Sequence, residues 1–86
     1  MTINPPRNYR NEVFYVSVSA VIKQRLSELN MTQTELAEAV GTTRQNFANK
    51  MARDNFSSKE LCSIGEVLGV KLVYKDSTGK EYNIEY

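Results

Sequence analysis

Three short segments carry the same helix-start signature, and this feature constrains the fold of the 86-residue chain more than any other. This signature is called the capping box. The hydroxyl of a Ser or Thr accepts a hydrogen bond from the backbone amide three residues later, and the Glu or Gln at that later position accepts one from the backbone amide of the Ser or Thr. It occurs at Thr32–Glu35, Thr42–Gln45 and Ser57–Glu60. Each match opens a segment of helical periodicity, so the sequence predicts helices over about residues 33–40, 43–52 and 58–68.

An earlier helix is predicted from Ser19 onward, where apolar residues recur on one helical face: Val21, Ile22, Leu26 and Leu29. The sequence of residues 13–18 is compatible with either a strand or a helix. Their β-branched and aromatic side chains favour a strand, whereas Phe14 and Val18 continue the four-residue spacing of the helix.

After Gly69 the period of the sequence changes from 3.6 to 2, which predicts a β-hairpin over residues 70–86 with a turn at 76–80. One face of this hairpin is expected to be apolar, and its residues are Leu72, Tyr74, Tyr82, Ile84 and Tyr86. An isolated hairpin is unstable in water, so this face must rest on something.

The length allows one domain: a flexible arm over residues 1–12, a helical bundle over 13–69 and the hairpin. No apolar stretch or leader pattern predicts a membrane span or secretion, and the single cysteine, Cys62, fits a cytoplasmic location. The chain contains no histidine and no acidic cluster. We therefore expect no enzyme activity, no metal site and no cofactor.

Residues 32–51, TQTELAEAVGTTRQNFANKM, form the most informative segment. Two short helices joined at Gly41 make a helix-turn-helix, with small Ala37 at the helix crossing and Phe47 and Met51 anchoring the second helix. The net charge of the chain is only +1, yet residues 42–53 contain three basic residues and no acidic one. This local charge is typical of a DNA-binding face.

The side chains expected to point outward from the second helix suit the edges of DNA bases. Arg44 can form a bidentate pair with guanine, Gln45 and Asn49 can pair with adenine, and the methyl group of Ala48 can contact that of thymine.

The segment resembles the helix-turn-helix of the lambdoid phage repressor and Cro proteins and of the wider XRE-type family. The resemblance covers roughly residues 20–70, and its motifs are Thr32-Gln33, Glu35-Leu36-Ala37, Val40-Gly41-Thr42-Thr43, Gln45, Leu61, Ile64 and Leu68-Gly69-Val70. It implies a mainly α, lambda-repressor-like bundle of about four helices that binds double-stranded DNA as a dimer, on a palindromic operator.

The resemblance also implies residue roles. Gln33 binds the DNA backbone, and Arg44 and Gln45 read bases, with Asn49 one turn later. Helix starts and nearby basic positions supply the remaining backbone contacts that we expect: Thr32, Thr43, Asn46, Lys50 and Arg53.

Two features of the sequence depart from the family pattern. Lys50 stands where the family usually has an aliphatic residue, so either Met51 takes over the packing or the helix is slightly rotated. The hairpin replaces the usual fifth helix. Because Cro-type proteins dimerise through C-terminal strands, the apolar hairpin face is expected to form the dimer interface.

The sequence thus predicts a dimeric transcriptional regulator, with repression as the expected mode. The alternative is a protein-interaction module, such as an antitoxin or a phage anti-regulator, whose main partner is another protein. The near-neutral net charge and the aromatic hairpin are compatible with this alternative.

Overall fold

The computed structural model describes residues 16–86, and within them the chain forms four helices followed by one antiparallel hairpin. The helices are α1 (Val18–Leu29), α2 (Gln33–Ala39), α3 (Arg44–Arg53) and α4 (Ser58–Leu68), and the strands are β1 (Val73–Lys75) and β2 (Glu81–Asn83). The predicted mainly α class, with a helix-turn-helix bundle and a C-terminal hairpin, is confirmed. The arm at 1–12 and residues 13–15 lie outside the described residues. Val16 and Ser17 precede α1 without regular structure.

The core is formed where the apolar faces of all four helices meet. Each helix contributes two buried hydrophobic residues: Ile22 and Leu26, Leu36 and Ala37, Phe47 and Met51, Ile64 and Leu68. Phe56 closes this core beside Phe47, with their ring centroids 5.7 Å apart. Burying a Leu or Phe side chain of this kind contributes about 1.5–3 kcal/mol, so the core holds α2 and α3 in a fixed relation to α1 and α4.

Two of the three predicted capping boxes are confirmed. The Thr32 hydroxyl accepts from the Glu35 amide at 3.0 Å, and the Glu35 carboxylate accepts from the Thr32 amide at 2.8 Å. The equivalent distances at Ser57 and Glu60 are 3.1 and 2.8 Å. Both boxes are made within four residues, so their residue types suffice to fix these helix starts.

The predicted capping box of Thr42 and Gln45 is wrong. Thr43 is the N-cap of α3, and its hydroxyl accepts from the amide of Asn46 at 3.1 Å. Thr42 instead closes α2, because its amide donates to the Ala37 carbonyl at 2.9 Å. That bond belongs to the C-terminal cap of α2, in which Gly41 adopts the left-handed conformation. The turn therefore includes Thr42, which the sequence pattern had assigned to the start of α3.

The hairpin pairs Tyr74 directly with Tyr82, and its turn contains Gly79 at a φ of +94°. The Asp76 carboxylate accepts from the Thr78 amide and hydroxyl at 2.9 and 2.6 Å, which closes the turn. The strands are shorter than predicted. The hairpin is attached to the bundle where the Cys62 thiol on α4 donates to the carbonyl of Ile84 at 3.2 Å.

Gly65 is required where the chain leaves α4 towards the hairpin. A Cβ atom on Gly65 would lie 2.5 Å from the carbonyl oxygen of Val70, whose amide donates to the Gly65 carbonyl at 3.0 Å. Only glycine permits this approach without a shift of the backbone. None of the described helices is long and apolar enough to cross a membrane.

Candidate nucleic-acid interface

The turn between α2 and α3 is a compact hydrogen-bonded unit. Gly41 adopts a φ of +82°, its amide donates to Glu38, and the next amide donates to Ala37. Leu36 and Ala37 are fully buried directly before this turn. Because both ends of the turn are held, α3 is presented at one angle to α2, as major-groove recognition requires.

Helix α3 buries one side and exposes the other. Phe47 and Met51 are 2% and 6% exposed, and they fix the rotation of the helix about its axis. Met51 therefore packs into the core in place of the aliphatic residue that the family usually has at position 50, where this chain has Lys50. The exposed residues of α3 are Arg44, Gln45, Asn46, Ala48, Asn49, Ala52 and Arg53.

All four residues predicted to read bases lie on this exposed surface. Among them, Gln45 Nε2 donates to Asn49 Oδ1 at 3.4 Å, so the two amides lie side by side on successive turns. Arg44 is the first residue of the helix and Ala48 lies one turn after it. Their readout of bases remains a prediction.

The N-terminus of α3 differs electrostatically from those of α2 and α4. The latter two carry Glu35 and Glu60 in their first turns, whereas the first turn of α3 has no acidic residue and begins with Arg44. The helix dipole places positive potential at this end, and Arg44 adds to it. The positive potential at the start of α3 is therefore stronger than at the starts of α2 and α4, and such a helix end favours anions.

The residues predicted to contact the DNA backbone fall into two groups. Thr32 and Thr43 use their hydroxyls as helix caps, and Gln33 is half-buried at the start of α2. Asn46 and Arg53 are exposed on α3. The structure thus leaves each of them at a helix end or on the outer surface of α3, and their phosphate contacts remain predictions.

Lys50 forms an ion pair that the sequence did not indicate. Its Nζ lies 2.8 Å from Glu60 Oε2, with the two side chains 41% and 39% exposed. Hydrogen bonding from Lys50 first, and then from the Ser57 backbone, holds the pKa of Glu60 below its ordinary value. The Glu60 carboxylate therefore both caps α4 and forms an ion pair with a residue of α3. The phosphate contact expected of Lys50 stays a prediction, and it would have to compete with this ion pair.

Sequence reasoning also missed the contact that holds the far end of α3. Asp54 follows the helix in left-handed conformation, and its Oδ1 accepts from the amide and hydroxyl of Ser19 at 2.7 and 2.9 Å. The same hydroxyl donates to the Met51 carbonyl at 2.8 Å. The one local signal was an Asp directly after a helix, a residue that tolerates left-handed backbone.

The predicted dimer face of the hairpin is divided between two environments. Leu72 and Ile84 are half-buried at the end near α4. Tyr74, Tyr82 and Tyr86 are 71%, 48% and 76% exposed, and the Nζ of Lys80 lies 5.0 Å from the centre of the Tyr82 ring. The aromatic part of this face is thus available for a partner.

Within residues 16–86, no group of three or more His, Cys, Asp or Glu side chains is placed to hold a metal ion.

Comparison with models of known protein families identifies a match to most of the chain. The model of the bacteriophage CI repressor helix-turn-helix domain matches residues 20–79, which include all of α2, α3, α4 and β1. No curated protein and no solved structure shows significant similarity to the chain.

Proposed function

The chain belongs to the bacteriophage CI repressor helix-turn-helix domain family, a family of DNA-binding transcriptional regulators and not a class of enzymes, and from this premise we propose that it is a dimeric repressor reading a palindromic operator. Two α3 helices would enter successive major grooves about 34 Å apart on one side of the duplex. Because the proposed partner is operator DNA, we assign the chain to the cytoplasm.

The exposed surface of α3 is the observation that carries the proposal. Its buried side is fixed by Phe47 and Met51, which leaves Arg44, Gln45 and Asn49 outside with the small Ala48 between them. Arg pairs with guanine and the amides pair with adenine in the major groove, at about 1–3 kcal/mol of discrimination for each good pair. We assign direct base readout to these four residues.

Contacts to phosphate set the register of the protein on the duplex. We assign them to the starts of α2 and α3, at Thr32, Gln33 and Thr43, and to Asn46, Lys50 and Arg53. Each neutralised phosphate releases condensed counterions, so the affinity falls steeply as the salt concentration rises.

The hairpin is assigned to dimerisation. Its three exposed tyrosines form an aromatic surface beside the half-buried Leu72 and Ile84. Tyrosine is enriched at protein interfaces because its ring is apolar and its hydroxyl can still hydrogen-bond at the rim.

A second candidate function rests on the same surface. The exposed tyrosines equally suit a different protein, which would make the chain a protein-interaction module such as an antitoxin or a phage anti-regulator. Under this alternative, changes at Tyr74, Tyr82 or Ile84 abolish function, whereas Arg44→Ala does not.

The test is selection from a pool of random duplexes at two salt concentrations, with wild type and the Arg44→Ala/Gln45→Ala variant. The matched control is Lys23→Ala/Gln24→Ala, which removes the same kinds of side chain from the exposed surface of α1. We expect wild type and control to enrich a palindrome and the α3 variant to retain only weak, salt-sensitive binding. If neither wild type nor variant selects a sequence, the helix-turn-helix is a scaffold and the second candidate stands.

A further inference from the structure

Four exposed residues of α3 form one uncharged row, which we call the central row: Gln45, Ala48, Asn49 and Ala52. Their spacing of three, four and seven residues places them along one side of the helix, away from the buried Phe47 and Met51. Ala52 had no predicted role, although its spacing from Ala48 extends the row by one turn.

The basic residues of α3 lie beside this row. Arg44 stands on one side of it, and helical spacing places Lys50 and Arg53 on the other. The side chains best suited to guanine and to phosphate therefore flank a row of two amides and two methyl groups.

The residue types of the central row match one kind of base pair. An Asn or Gln amide pairs with N6 and N7 of adenine, and an alanine methyl contacts the C5-methyl of thymine. The partners that guanine and cytosine favour are Arg or Lys and Asp or Glu, respectively, and the row contains none of these.

The geometry of the row suits close contact. The hydrogen bond of 3.4 Å from Gln45 to Asn49 orients both amides and leaves each with a free donor and a free acceptor position. Ala48 and Ala52 keep that side of the helix narrow. The row rises about 10 Å along the helix, roughly the length of three base-pair steps.

We infer that the operator half-site is a short run of about three A·T pairs opposite the central row, in which Gln45 and Asn49 read adenines while Ala48 and Ala52 contact thymine methyl groups. A G·C pair is expected only at the edge that faces Arg44. This inference rests on the proposed function and adds Ala52 to the residues that determine specificity.

The first experiment compares the half-sites that wild type, Gln45→Ala and Asn49→Ala select, with Gln24→Ala as the matched control on α1. We expect a run of A·T pairs for wild type and control. Each α3 variant should lose preference at one position, by about tenfold or more between adenine and the next base.

The second experiment replaces each thymine of the selected site by uracil, which removes only the methyl group. Wild type should lose about fourfold in affinity at a contacted thymine. Ala48→Gly or Ala52→Gly should be insensitive to the replacement at its own position, and circular dichroism checks that each variant is folded.

The outcomes separate this inference from the proposed function. A palindrome with G·C pairs opposite the row, or uracil substitution without effect on wild type, overturns the A·T inference and leaves the dimeric regulator intact. If wild type selects no sequence at all, the proposed function fails and the inference fails with it.

Discussion

The carboxylate of Asp54 accepts two hydrogen bonds from Ser19, one from its amide and one from its hydroxyl, and so joins the end of α3 to the start of α1. The carboxylate stands at the N-terminus of α1, where the helix dipole favours a negative charge. Ser19 is 7% exposed and also donates to the last turn of α3. The orientation of the recognition helix thus depends on a contact with a helix that carries no proposed DNA-binding residue.

Replacing Asp54 should reveal two separate contributions to stability. Asp54→Gly removes the carboxylate but permits left-handed backbone, and we expect a loss of about 1–2 kcal/mol of unfolding free energy. Asp54→Ala should cost about 1 kcal/mol more because its Cβ strains that backbone. Urea unfolding measures both values. Equal losses for the two variants would contradict the assigned strain, and no loss for Asp54→Gly would contradict a stabilising Ser19 contact.

Glu60 should make stability depend on acid pH. Its pKa is held below the ordinary value in the folded chain by Lys50 and the Ser57 backbone. The stabilisation is therefore complete above the ordinary pKa of glutamate, and it is lost as the pH falls through that value towards the lower folded-state pKa. Urea unfolding between neutral pH and about pH 3 should show a shallower acid decline for Glu60→Gln.

Other carboxylates keep part of that decline in the Glu60→Gln variant. The pKa of Glu28 is lowered by hydrogen bonds from Arg25 and Gln24, and that of Asp76 by hydrogen bonds within its turn. Glu38→Gln is the matched control, because within residues 16–86 Glu38 forms no ion pair. An acid decline that is the same in Glu60→Gln and wild type would show that the contacts of Glu60 with Lys50 and the Ser57 backbone do not stabilise its carboxylate in solution.

Gly41 should tolerate asparagine better than alanine. Nothing lies within 4 Å of the position that a Cβ would take, so the cost is one of backbone conformation alone. Alanine at its φ of +82° should reduce the unfolding free energy by about 1–2 kcal/mol, and asparagine by less, since it visits left-handed backbone more readily. Thermal and urea unfolding rank the three proteins. Equal stability of Gly41→Ala and wild type would show that the turn relaxes to a different geometry.

Arg53 should increase the affinity for DNA through its charge, without affecting which sequence is preferred. If it contacts phosphate as proposed, Arg53→Gln weakens binding to every duplex and reduces the slope of log affinity against log salt by about 0.9. Titrations of a selected and a random duplex over a salt series measure both effects, with Lys23→Gln on α1 as the control. A changed sequence preference with an unchanged salt slope would assign Arg53 to base readout instead.

The exposed tyrosines of the hairpin should control the oligomeric state without controlling folding. Tyr74 and Tyr82 pair across the strands and both rings are exposed, so Tyr74→Ser/Tyr82→Ser should dissociate the proposed dimer while the helical circular dichroism persists. Sedimentation equilibrium measures the mass, and Val16→Ser removes an exposed apolar side chain elsewhere as the control. A wild-type chain that remains monomeric at high concentration and on DNA would contradict the dimer.

Sequence patterns located α3 to within one residue. The motif predicted α3 over residues 43–52, and it spans Arg44–Arg53. Thr42 and Thr43 are both competent N-caps by residue type. The hydrogen bond from the Thr42 amide back to Ala37 decides between them, and it depends on how α2 ends.

Local residue types fix the helix starts at Thr32 and Ser57 and the turn at Gly41, because caps and left-handed glycines depend on neighbours within about four residues. The contact of Asp54 with Ser19, 35 residues away, and that of Lys50 with Glu60 arise only when the helices pack. Those contacts exist because the apolar sides of the helices must pack together, and packing sets which distant polar groups become neighbours.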